Sequence, residues 1–284
     1  MPASTDVCAL SVPDGVPVLL RDLIHERTGI YFEPVHFDTL LDKLRDRAMH
    51  HGCQSYLDYY FILKYEAADE WLRVMVAFSV QETYFWREVG QINALTKNVV
   101  PRWFKTSGSR LRIWSAACAS GEEPYSIVIA LLEAGLGHLP IDVCASDASE
   151  AALEKARRGI YRDRSFRTLP AELQQKYFRR VPDGWQLAPD IMRRVSFQRA
   201  NLIAPAETGP LATSPVVFCR NVFIYFSADA IRRTLAVFAE RMPPGGHLFV
   251  GASESLLKLT SDFELGEVED AFVYTRNTRQ VPPR

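Results

Sequence analysis

The run from Ser115 to Tyr125 reads Ser-Ala-Ala-Cys-Ala-Ser-Gly-Glu-Glu-Pro-Tyr, small residues closed by two acids. Small side chains let a backbone approach a ligand closely, and Gly121 permits a turn that a Cβ would obstruct. The run has one glycine and no Lys-Ser/Thr pair behind it, so it is not a phosphate loop. Glu122 and Glu123 would repel a pyrophosphate and suit a cationic ligand. Read alone, the same two acids equally supply favourable charge at a helix N-terminus.

Other candidate groups follow apolar, strand-like runs. Asp147 stands after Ile141–Ser146, where an acid accepts hydrogen bonds from both ribose hydroxyls of a nucleoside or caps the next helix. Asn201-Leu202 and Arg220-Asn-Val-Phe-Ile-Tyr225 follow two later runs. Asparagine offers a donor and an acceptor, matching an adenine edge or a backbone amide. Tyr225 places a phenol near the site or packs in the core. Upstream lies Gln81-Glu-Thr-Tyr-Phe-Trp-Arg-Glu88, in which Arg87 can clamp a carboxylate bidentately or serve as an interdomain salt bridge. An acid for ribose beside acids for a cation points to S-adenosylmethionine, which carries a sulfonium and an ammonium.

The elements that must position these groups fall into two patterns. The first 90 or so residues read as helices, with Leu19, Leu20, Leu23 and Ile24 at helical spacing before Gly29. Further helices are expected over Phe37–His50, over Tyr56–Tyr65 behind a Ser55 cap, and around Trp71–Phe78. After Pro101 strands and helices alternate: strands at Leu111–Ala116, Ile141–Ser146, Val195–Arg199, Pro215–Cys219 and His247–Gly251, and helices at Glu122–Ala134, Glu150–Arg158 and Ala228–Met242. That alternation predicts an α/β domain with a largely parallel sheet covered on both faces, closed by an antiparallel pair within Phe263–Thr275. The expected division is 1–90 helical and 91–284 α/β. A small β-subdomain is inserted at about 161–194, with a hairpin around Pro182-Asp-Gly184. Between Arg157 and Arg199 eleven Arg or Lys face four Asp or Glu. That excess is a solvated basic face or a docking surface for an acidic partner.

Composition narrows the class. Of 284 residues 48% are hydrophobic and 24% charged, with net charge −1. This is ordinary globular composition without a global signal for nucleic acid or membrane. Residues 1–17 do not read as a signal peptide, and no apolar stretch is long enough to span a bilayer. Five scattered cysteines, Cys8, Cys53, Cys118, Cys144 and Cys219, form no disulfide framework or zinc motif. They point to a reducing cytoplasm, and no metal site is expected.

The chain resembles the chemotaxis receptor methyltransferases, the CheR family, from about Leu19 to Thr275. The resemblance is carried by Glu82–Arg87, Trp114–Ser126, Gly159-Ile-Tyr161, Asn201-Leu202 and Phe218–Phe226, in that order. It implies an N-terminal all-α domain and a Rossmann-like S-adenosylmethionine-dependent methyltransferase domain with an inserted β-subdomain. It also implies transfer of methyl groups to receptor glutamates as γ-methyl esters, yielding S-adenosylhomocysteine. Carried over, cofactor contacts fall on Gln81, Thr83, Arg87, Glu122, Asp147, Asn201, Leu202, Asn221 and Val222, with catalytic positioning by Arg87 and Tyr225. Gln81 stands where the family usually has Asn, and Trp86 where it has Phe. The helix with Lys43, Arg45 and Arg47 resembles the family's receptor-facing helix, and the insertion resembles the part that in some members grips a receptor-tail pentapeptide. The expected setting is cytoplasmic, with recruitment to membrane receptor arrays. Competing readings are a methyltransferase with a different protein or small-molecule acceptor, a receptor-binding adaptor that keeps the fold without catalysis, and, more distantly, a dinucleotide oxidoreductase, for which no G-x-G-x-x-G follows the first strand.

Overall fold

The computed structural model describes residues 10–65, 68–79 and 82–277. It divides into two compact units, Met1–Ser79 and Val80–Arg284.

The first unit is helical: Val16–Thr28, Phe37–His50, Tyr56–Tyr65 and Ala68–Phe78. Leu20, Ile24, Leu40, Leu44, Tyr59 and Leu63 lie on the inward faces and are fully buried. Gly29 ends the first helix at φ 77°, the left-handed geometry that glycine adopts without strain. Ser55 and Asp58 cap the third reciprocally: Asp58 N–H donates to Ser55 Oγ at 3.2 Å, and Ser55 N–H to Asp58 Oδ2 at 2.9 Å. The three basic residues of Phe37–His50 have different fates. Arg47 donates twice to the buried Glu70, at 2.8 and 2.5 Å, and Lys43 Nζ donates to the Ala77 carbonyl at 3.0 Å. Arg45 projects outward with 57% of its side chain exposed, its guanidinium 2.5 Å from Asp42.

The second unit is an α/β domain. Its strands are β1 (Leu111–Ala116), β2 (Ile141–Asp147), β3 (Ile160–Tyr161), β4 (Phe178–Val181), β5 (Gly184–Leu187), β6 (Val195–Arg199), β7 (Val216–Phe218), β8 (His247–Phe249), β9 (Phe263–Val268) and β10 (Ala271–Arg276). Among the described residues the main sheet runs β6-β2-β1-β7-β8-β10-β9. Its first five members are parallel and β10 is antiparallel to both neighbours. The chain steps outward from β1 to β2 to β6, then returns to lay β7 and β8 on the other side. The order therefore reverses between β1 and β7, where open α/β sheets bind ligands. Register aligns the strand ends: Ser115 pairs with Ala145 and Phe218, and Phe218 with Phe249. Trp114, Phe218 and Phe249 are fully buried, as expected of strands covered on both faces. A second sheet, β3-β5-β4, forms the insertion, with the hairpin where the sequence reading placed it.

Three features differ from that reading. The division falls after Ser79, not near residue 90, because the intervening segment is bonded into the second unit. Phe85 N–H donates to the Ser165 carbonyl at 2.9 Å, Thr168 Oγ1 donates to the Phe85 carbonyl at 2.7 Å, and Trp86 N–H donates to Ser126 Oγ at 3.0 Å. Val89–Ala94 and Val100–Thr106 are helical around a π-helical turn, Leu95–Val99. Ile92, Leu95 and Val99 are buried there at a spacing legible as helical. Pro205–Ala212 is also a helix, with proline in its first turn.

Candidate functional site

The loop after β1 is built for close approach. Ala117 and Ala119 adopt left-handed φ of 55° and 48°, which only small side chains tolerate cheaply. A Cβ on Gly121, at φ 91°, would lie 2.8 Å from Ala156 Cβ. Asp147, at the end of β2, holds this loop: Oδ2 accepts Ala119 N–H at 2.9 Å and Oδ1 accepts Ser149 N–H at 2.8 Å. Ser149, not Asp147, caps the following helix, accepting Ala152 N–H on its hydroxyl. Each Asp147 oxygen retains a lone pair for a ligand hydroxyl. Burial pushes its carboxyl above the usual range, opposed by those backbone N–H donors.

The two glutamates at the next helix separate. Glu122 is buried and accepts the Ser120 hydroxyl at 2.8 Å and the Ser165 hydroxyl at 3.1 Å, and burial raises its pKa. Glu123 accepts Ser115 Oγ at 2.6 Å and Arg220 Nε at 2.7 Å.

Arg220 joins three segments beneath the switch point. Beyond Glu123 it donates to the Arg87 carbonyl at 3.0 Å and to Gln91 Oε1 at 3.3 Å, and it lies 3.7 Å from Glu88 Oε2. The next residue, Asn221, has φ 59°, and Trp86 and Glu88 have φ 65° and 52°. Left-handed non-glycine residues on two segments joined by Arg220 store backbone strain of the kind that clusters at ligand sites. Glu254 over-determines the loop: its carboxylate accepts N–H from Asn221 at 2.8 Å, Gly251 at 2.6 Å and Ile224 at 3.2 Å. Asn221 Nδ2 reaches Glu88 Oε1 at 3.4 Å. Asn221 Oδ1 is buried without a hydrogen-bond partner among the described residues. A buried orphan acceptor at the end of β7 fits a missing donor such as a ligand amine.

The rim is cationic and aromatic. Arg87 Nη1 donates to the Glu82 carbonyl at 3.1 Å and its Cζ lies 5.3 Å from the Tyr84 ring centre. Tyr225 is half-buried; burial and the Glu82 carboxylate raise its pKa, and Arg87 partly offsets them. Its phenol is therefore a proton donor at neutral pH.

The structure brings Arg87, Glu122, Asp147, Asn221, Val222 and Tyr225 to one edge of the sheet, through loops after β1, β2 and β7 and the segment bonded beside them. Thr83 is half-buried in that segment. Asn201 and Leu202 follow β6, further along the edge. Leu202 is buried, and Asn201 Oδ1 accepts Ile203 N–H at 3.3 Å in a local turn. Gln81 lies outside the described residues. Sequence reasoning missed Arg220, Glu88 and Glu254 as organisers of the site. Arg220 had a signal, a charge directly after an apolar strand, but nothing in the sequence pairs it with Glu123. No group of residues able to hold a metal is found among the described residues. Cys118 and Cys219 are buried, with thiol pKa pushed up by burial.

Small-residue close approach, an acid free to accept ribose hydroxyls and an orphan acceptor for an ammonium all fit S-adenosylmethionine. Comparison with known proteins agrees. Residues 81–272 match the CheR methyltransferase S-adenosylmethionine-binding domain, and residues 18–79 match the CheR methyltransferase all-alpha domain. A chemotaxis protein methyltransferase 2 of Vibrio cholerae is 39% identical, over 86% of this chain and 87% of its own. A chemotaxis protein methyltransferase 1 of Pseudomonas aeruginosa is 38% identical, over 72% of this chain and 77% of its own. A chemotaxis protein methyltransferase of Klebsiella aerogenes is 34% identical, over 87% and 85% respectively. With both of its domains matched in order, the chain belongs to the CheR family of S-adenosylmethionine-dependent methyltransferases.

Proposed function

We propose that this protein methylates glutamate side chains in the cytoplasmic domains of methyl-accepting chemotaxis receptors, forming γ-methyl esters. One observation carries the choice of acceptor: among the described residues, the α/β unit places no imidazole of its own at the carboxyl edge of its sheet. The two histidines of this unit, His138 and His247, lie in the loop before β2 and at the start of β8, on the opposite edge. Of the nearby carboxylates, Glu254 is taken up by three backbone N–H groups, and Glu88 lies 3.7 Å from the Arg220 guanidinium. An alcohol, amine or thiol acceptor needs a base to remove its proton, whereas a glutamate with pKa ~4.3 arrives ionised.

Thr83, Arg87, Glu122, Asp147, Asn201, Leu202, Asn221 and Val222 hold the cofactor in this reading; Asp147 takes the ribose hydroxyls and Asn221 Oδ1 the ammonium. Bound there, S-adenosylmethionine supplies an electrophilic methyl group on a positively charged sulfur. The protein's contribution is alignment, which can supply ~7–11 kcal/mol of the barrier. Arg87 and the Tyr225 hydroxyl orient the incoming carboxylate. Too tight an ion pair would stabilise the nucleophile and slow attack, which suits a half-exposed guanidinium already tied to the Glu82 carbonyl. Receptor docking falls to Arg45 and the inserted subdomain. Among the described residues no helix is long and apolar enough to cross a membrane.

The test is methylation of purified receptor cytoplasmic fragments with methyl-labelled cofactor. Base-labile label released as methanol is expected. Base-stable label would give the acceptor as another group, and absence of cofactor binding in calorimetry would favour the adaptor reading.

A further inference from the structure

Arg167, which no step above uses, comes from the inserted segment to the same rim as Arg87. Its Cζ lies 3.7 Å from the centre of the Tyr84 ring, so one aromatic ring serves two guanidiniums. The segment is anchored on both sides of Arg167, by Phe85 N–H on the Ser165 carbonyl and by Thr168 Oγ1 on the Phe85 carbonyl. Stacking fixes the plane of a guanidinium and leaves its edge free for a carboxylate. That edge now faces a carboxylate of the chain itself: Arg167 Nη2 stands 3.3 Å from Glu82 Oε1, with 42% and 73% of the side chains exposed. The contact is single, not bidentate, and solvated at both ends, so exchange is cheap.

We propose that Arg167 on Tyr84 is a carboxylate-binding subsite for the acceptor protein, taking an acidic side chain other than the one being methylated, and that Glu82 occupies it until the acceptor arrives. The inference rests on the reading that the acceptor is an acidic protein segment. A tightly held carboxylate is a poor nucleophile, so the strong planar contact belongs to a neighbouring acid and the looser Arg87–Tyr225 environment to the reacting one. Arg167 then sets acceptor affinity and Glu82 competes against it.

The experiment is a kinetic comparison of the full chain and its variants on receptor cytoplasmic fragments, reading base-labile methyl, with cofactor affinity measured by calorimetry. Arg167→Ala should raise the acceptor KM about ten-fold with kcat nearly unchanged. Arg167→Lys, which keeps the charge and loses the planar fork, should recover only part of that. Glu82→Gln should lower KM about two-fold by removing the competitor. On fragments whose acids flanking the methylated glutamate are changed to Gln, the wild type should lose affinity and Arg167→Ala should lose nothing more. Unaltered KM in Arg167→Ala with labelling intact, or an equal loss on acidic and neutralised fragments, would overturn the subsite alone. If the wild type itself yields no base-labile label, the glutamate reading fails and the subsite with it.

Discussion

Arg220 and Glu123 form a buried ion pair, Nε to Oε2 at 2.7 Å, with 2% and 12% of their side chains exposed. The pair ties the loop after β7 to the helix after β1, across the point where strand order reverses. Through the Arg87 carbonyl it also fixes the segment that supplies Arg87 and Trp86.

Removing one partner strands the other charge in the interior. Arg220→Met should therefore destabilise the α/β unit by about 3–5 kcal/mol, and the double variant Arg220→Met/Glu123→Leu by much less. Urea unfolding of all three proteins checks this; equal losses in the single and double variants would mean that the pair is not the source.

Asp147 holds the loop after β1 as well as its proposed ribose contact. Asp147→Asn keeps the size and loses an acceptor with its charge. Cofactor affinity should fall by about ten- to a hundred-fold in calorimetry, and the melting temperature should fall as well, because the amide NH2 meets a backbone N–H that the carboxylate accepted. An unchanged affinity would leave Asp147 as a loop anchor alone.

Tyr225→Phe removes the phenol hydroxyl without altering the ring. It should lower kcat by about ten- to a hundred-fold and leave cofactor affinity as it was. Arg87→Ala should reduce turnover and cofactor affinity together. If both variants retained wild-type kinetics, the transfer point would lie elsewhere along the edge.

Arg45 and Arg47 sit two residues apart and predict opposite phenotypes. Arg45→Glu should weaken receptor binding, measured by titration with receptor fragments, at constant melting temperature. Arg47→Ala should lower the melting temperature, because Glu70 then loses its bidentate partner.

Glu70 also sets an acid limit. Although burial works against it, hydrogen bonds from Arg47, His51 and Tyr59 hold its pKa at about 2 rather than 4.5. A depressed carboxylate stabilises the fold fully above its unfolded pKa and loses that contribution as pH falls through its folded value. About 3 kcal/mol should therefore disappear between pH ~4.5 and ~2. Unfolding curves across that range should be flatter for Glu70→Gln; identical slopes would refute the assignment.

Periodicity alone determined most of the elements, because an apolar face recurs at 3.6 residues in a helix and a doubly covered strand is a continuous apolar run. Val16–Thr28 and Phe37–His50 show the first pattern, β1 and β7 the second. The small-residue run Ser115–Gly121 and Asp147 after β2 were likewise visible as chemistry, since a ligand loop needs small side chains wherever the fold places it. Tertiary structure decided what those patterns do not encode. Glu122 and Glu123 are neighbours in the chain, yet one is buried against Ser165 and the other pairs with Arg220, 97 residues away. Lys43, Arg45 and Arg47 look alike in sequence, and only packing ties Lys43 to Ala77 and Arg47 to Glu70 while Arg45 stays exposed in a solvated pair with Asp42. Which charges are paired depends on approaches between distant segments, and no local spacing carries that information.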